Sequence, residues 1–205
     1  METPTNEQAL TVQGQTKGTT VWGDRTALGE IWKTAVTLSK CDLVPEQIYR
    51  GKPENCLIAL DIANRLNQSP LMVMQNLTIV KGKPAWNGQM SIALVNGCGR
   101  FTPLTFAYSG EGEEFGCVAR ATRVADREIC ESERITLKMA KNEGWSTHAG
   151  SKWVTMPKQM MMYRSGAFFA RTFCPDVLMG IYTTDELTDT GKDDQQPEKV
   201  VVTVE

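Results

Sequence analysis

Two prolines, Pro157 and Pro175, bracket the longest stretch of this chain that can form a single helix. Proline suits the first helical turn, where its missing N–H would have no intrahelical partner. It also disfavours helical geometry in the residue before it, so the element must stop at Cys174. Residues 157–173, PKQMMMYRSGAFFARTF, are therefore expected to be the main helix. Upstream, the texture changes. In residues 117–124, Cys117, Ala119, Ala121 and Arg123 alternate with Val118, Arg120, Thr122 and Val124, the period of two of a half-buried strand. FTPLTFAY precedes that stretch across SGEGE, and DREICESERI follows it across an Ala125-Asp126 corner, so residues 101–135 read as a three-stranded antiparallel meander. Helices and antiparallel strands together make the chain α+β.

The other elements follow from local signals. Residues 25–40 carry a weak helical period, and Pro53-Glu54 opens a firmer helix bearing Leu57, Leu60, Ile62 and Leu66 before Asn67-Gln68-Ser69-Pro70. QNLTIV (75–80) suggests a short strand and Lys81-Gly82-Lys83-Pro84 a turn. Asn87 can cap a helix ending at Asn96-Gly97, and Thr136 one closed by Gly144. Residues 1–22 are polar and read as a flexible arm, and 23–188 as the core. Residues 189–205 read as a disordered acidic tail, within a final stretch, 185–205, that carries seven acids against two lysines.

Several function classes are disfavoured. No run of about 18 apolar residues could span a bilayer. The N-terminal METPTNEQALTVQGQTKG lacks an apolar signal core, so the expected location is the cytoplasm, with reduced thiols at Cys41, Cys56, Cys98, Cys117, Cys130 and Cys174. His148 is the only histidine and no C-x-x-C pair occurs, so no metal site is expected. Lys83 is followed by Pro84 rather than Ser or Thr and lacks the earlier glycine of a phosphate loop; Gly110-x-Gly112 lies among Glu111, Glu113 and Glu114. No catalytic residue is assigned, and no nucleotide-binding phosphate loop is found. The alternatives are a metal-dependent nuclease using Asp126, Glu128 and Glu131, and a protein-assembly module working through the acidic tail.

The net charge of −2 argues against a nucleic-acid partner only as a sum. Residues 115–175 hold ten cations against five acids. Arg164, Phe168 and Arg171 fall on one helical face, and Lys158 lies in the first turn, where backbone N–H groups favour an anion. Gly166, unfavourable in a helix by about 1 kcal/mol against Ala, suggests a close backbone approach. Two readings stay open on residue chemistry: a phosphate-binding row with an aromatic for stacking, or arginines paired with acids. Trp86 and Trp153, each beside lysines, read as core-edge residues or base platforms.

At this point two blocks of residues resemble the RecT/Bet-type phage recombination proteins. The first runs from Asn67-Gln68-Ser69-Pro70 and Gln75-Asn76 through Lys81-Gly82-Lys83-Pro84-Ala85-Trp86-Asn87-Gly88-Gln89 to Ile92–Asn96 and Gly99-Arg100-Phe101. The second holds Lys152-Trp153, Met156-Pro157, Met160, Tyr163-Arg164 and Ala170-Arg171, and continues from Cys174-Pro175-Asp176 to Asp185-Glu186. The resemblance implies an ATP-independent annealing protein with a β-meander packed on a long helix. It would coat single-stranded DNA as a homo-oligomeric ring or helical filament and pair it with a complementary strand. It implies DNA contacts at Lys158, Arg164 and Arg171, with Lys81, Lys83, Lys152, Trp153 and Gln89 as neighbours. A phage exonuclease and a host single-strand-binding protein are implied partners, in a bacterial cytoplasm, with Mg²⁺ entering only through the DNA. Gln159 stands where some members carry a second cation. The chain stops about 20 residues past the motif, where many members have a longer C-terminal region that contacts partners.

Overall fold

A computed structural model describes residues 21–147 and 149–189. Most of the expected arm, His148 and the tail beyond 189 lie outside the described residues. The chain divides into two compact units between Pro70 and Leu71, within residues 23–188.

In the first unit a 3₁₀ turn, Val21–Gly23, leads to α1 (Arg25–Leu38), α2 (Glu46–Tyr49) and α3 (Pro53–Leu66). The Asp24 side chain caps α1 by accepting from the Thr26 and Ala27 N–H groups. Pro53 opens α3, and Asn67 closes it in the left-handed conformation at φ 51°. α1 packs on α3, burying Ala35, Cys56, Ala59 and Ala63 among small side chains that let the two helices approach closely.

The second unit begins one residue into α4 (Pro70–Asn76), and the strand expected from Gln75 is shorter, β1 (Leu77–Val80). Pro70, read as a stop, also begins this helix. Lys81 and Gly82, at φ 49° and 75°, turn the chain directly into β2 (Lys83–Trp86). Two positive φ angles define the type I′ turn whose twist matches the paired strands. Lys83-Pro84 is therefore strand, not turn. Asn87 caps α5 (Gly88–Gly97) by accepting from the Met90 N–H at 2.8 Å.

The meander follows as β3 (Thr105–Ser109), β4 (Gly116–Thr122), β5 (Ile129–Glu131) and β6 (Ile135–Thr136). β3 lies on one side of β4; β5 and β6 both pair antiparallel with β4. The last two lie along the same side of β4 and are separated by Ser132-Glu133-Arg134, where the Ser132 hydroxyl takes the Ala119 N–H while donating to the Glu133 carbonyl. Along β4, Cys117, Ala119 and Ala121 are buried and Arg120 is exposed. Thr136 caps α6 (Leu137–Asn142), and Gly144 follows it at φ 77°.

After α7 (Lys152–Thr155), α8 spans Pro157–Phe173 and packs on both β4 and α5. The α5 contact is close because two glycines allow it. A Cβ on Gly166 would lie 2.8 Å from Ile92 Cγ1, and one on Gly88 2.6 Å from Tyr163 Cγ. A core of Cys117, Ile135, Ala140, Trp145, Trp153, Met160 and Met161 fills the space between sheet and helix. The fold is α+β, an antiparallel meander on a long helix.

The chain then returns as β7 (Tyr182–Thr183), parallel to β2, and as α9 (Thr184–Asp189). The acidic stretch that begins at Asp185 is thus helical as far as Asp189. Thr183 and Glu186 form a reciprocal cap: the Thr183 N–H donates to Glu186 Oε2 at 2.8 Å, and the Glu186 N–H faces Thr183 Oγ1 at 3.4 Å. Among the described residues no helix is long and apolar enough to cross a membrane.

Candidate nucleic-acid interface

The cations of residues 115–175 are mostly spoken for within the chain. Arg120 pairs with Glu131, Arg123 with Asp126 and Glu128, Lys138 with Glu114, and Lys141 with Glu113. Arg134 donates to the Ser109 and Glu114 carbonyls, both at 2.8 Å, fastening the β3–β4 connection. The backbone N–H of Glu128, and then Arg123, hold the Asp126 carboxyl below its usual range. The three acids of the nuclease alternative are thus bound to guanidinium groups.

The arginines of α8 do not form the expected outward row. Arg164 is only 5% exposed; its guanidinium stacks 4.1 Å over the Trp145 ring, and Nη2 faces the Asp185 carbonyl at 3.4 Å. Arg171 grips Glu186 with both ends of its fork and stacks 4.4 Å over Tyr182. Phe168, expected as a stacking aromatic, packs partly buried against the core cluster. Trp153 is 3% exposed and lies 5.1 Å from the Trp145 ring, and Trp86 is fully buried with its indole N–H on the Leu178 carbonyl. Neither tryptophan presents a face to a base. The physical reason is common to all of them: each apolar or planar surface is covered by another part of the fold.

Lys158 behaves differently. It lies six residues from Arg164, roughly 120° around the helix. It is exposed, and its ammonium stands 5.7 Å from the centroid of Phe115. No side chain caps the α8 N-terminus. Its unpaired N–H groups and dipole add to the positive potential there. Lys152 is exposed at the start of α7, on an open cleft of about 320 Å³ that Thr184 and Asp185 also line. Among the described residues neither lysine has a carboxylate partner.

Gln89 is exposed on α5, and its Nε2 donates to the Tyr163 hydroxyl at 3.1 Å. Gln159, in the place of a second cation, donates to the same hydroxyl at 2.6 Å. Lys81 and Lys83 are exposed at the β1–β2 turn. The structure therefore brings Gln89 to Tyr163 and Lys158 to Phe115, and it separates Lys158 from the Arg164 and Arg171 face. Sequence reasoning quoted Tyr163 within a motif without giving it a role, and it passed over Tyr108. Their one available signal was the placing of a polar-tipped aromatic beside a cation or amide, and it becomes visible only through the packing of α5 and β3 on α8.

No curated protein matches the chain, and no solved structure does. The sequence model of the RecT family matches residues 100–202, half of the 205 residues. The matched stretch contains Lys152, Lys158, Arg164 and Arg171, whereas Lys81, Lys83 and Gln89 precede it. Together with the meander-on-helix fold, that match means that the chain belongs to the RecT family.

Proposed function

We propose that the chain binds single-stranded DNA and anneals it to a complementary strand without ATP, as a homo-oligomer. Membership of the family supports the coarse part of this reading, single-strand annealing in phage recombination. The observation that carries the site is the exposure of Lys158 and Lys152 at two successive helix starts, free of carboxylates, while their neighbours are paired. Ammonium groups so placed neutralise phosphates without reading sequence. Lys81, Lys83 and Gln89 extend the same role on the β1–β2 turn and α5.

Arg164 and Arg171 then act through the fold. They tie α8 to Trp145, Tyr182 and Glu186 and so hold the surface that carries Lys158, and Trp153 supports Lys152 from the core. Base pairing supplies sequence specificity, so no side chain needs to read a base edge. A phage exonuclease and a host single-strand-binding protein fit this role as partners. The test is fluorescence anisotropy with a labelled oligo(dT) across a salt series, followed by annealing of complementary oligonucleotides without nucleotide. Affinity insensitive to salt would contradict phosphate-dominated binding. Electron microscopy with and without DNA tests the assembly.

A further inference from the structure

Tyr108 is on β3, two residues from Phe106 and therefore on the same face of the strand. Phe106 reaches α8 near Gly166, and Tyr108 reaches its first turn, donating its hydroxyl proton to the Lys158 carbonyl at 3.0 Å. Its ring lies nearly parallel to Phe115, with centroids 6.1 Å apart and planes at 14°. The Lys158 ammonium stands over that same Phe115. Yet Tyr108 is 38% exposed. The ring is thus fixed at its tip, backed on one side, and open to solvent beside an ammonium that has no carboxylate.

We propose that Tyr108 is a stacking platform for a base of the single strand whose phosphate Lys158 neutralises. The inference rests on the annealing reading above and adds a contact to it. A base held by its π-face keeps its pairing edge free, as annealing requires, whereas hydrogen bonds to that edge would block it. Stacking is also indifferent to base identity.

The test compares oligo(dT) with an abasic oligonucleotide of equal length, by anisotropy at fixed salt. The wild type should bind the normal strand roughly tenfold more tightly. Tyr108→Leu, which keeps apolar bulk against Phe115, should lose that preference while binding the abasic strand as before. Tyr108→Phe should retain it. Equal wild-type affinity for both strands, or a Tyr108→Leu variant that keeps the preference or weakens both strands alike, overturns the platform and leaves the annealing reading intact. Failure of the wild type to bind either strand overturns both.

Discussion

Arg171 lays its guanidinium along the Glu186 carboxylate, with Nε to Oε1 at 3.0 Å and Nη2 to Oε2 at 2.7 Å. The second oxygen also accepts from the Thr183 N–H and hydroxyl, so one buried carboxylate joins α8 to the cap of α9. Removing the guanidinium leaves that charge without its main partner. Arg171→Ala should cost about 3 kcal/mol, below the fully buried limit because Arg171 is itself part exposed. Urea unfolding measures it. Arg171→Lys should recover only part of the loss, since an ammonium cannot span both oxygens.

Gly166→Ala should destabilise the protein by about 1–3 kcal/mol, although alanine is the better helix former. The added methyl meets Ile92 Cγ1 at 2.8 Å. In an Ile92→Ala background the clash disappears, and the same substitution should then stabilise by up to about 1 kcal/mol. That reversal of sign, read by thermal unfolding of the four proteins, separates the clash from helix propensity.

Stability should hold up to about pH 9 and fall from there towards pH 12. Burial pushes the Cys174 thiol from 9.0 to about 12, and burial followed by Cys56 pushes the Tyr49 phenol from 10.0 to about 12. Both groups keep their protons more tightly when folded. The stability they contribute is therefore full below the unfolded values and is lost as pH rises through the folded ones. Denaturant midpoints between pH 7 and 11 check this; a rising midpoint above pH 9 would refute it.

Lys158→Ala should weaken oligo(dT) binding at every salt concentration. It should also lower the slope of log affinity against log salt by about 0.7, the loss of one phosphate contact on a single strand. Substitution to Ala at Lys141, already paired with Glu113, should leave the slope unchanged.

Much of the fold was legible because it was written locally. Pro157 and the Cys174-Pro175 step set both ends of α8, Asn87 and Thr136 cap the helices that follow them, and alternation from Cys117 marks β4. The site was less legible. Arg164 and Arg171 share a helical face, but what they touch comes from Trp145, Tyr182 and Glu186, which no helical period reveals. Glu186 counted as one of the seven acids of residues 185–205, because its charge is visible in the sequence and its cap with Thr183 was not weighed. The break between β5 and β6 was hidden as well, because at Ser132 a side chain takes the Ala119 N–H. Lys158, by contrast, lies exposed in the first turn of α8, a position that Pro157 alone marks in the sequence.

The most direct test of the central claim is the rate at which complementary fluorophore- and quencher-labelled oligonucleotides anneal, measured with purified protein and no nucleotide. The account predicts acceleration by the wild type, a marked loss in Lys152→Ala/Lys158→Ala, and no change on adding ATP. A wild-type rate equal to that of the DNA alone, or acceleration only with ATP, would contradict it.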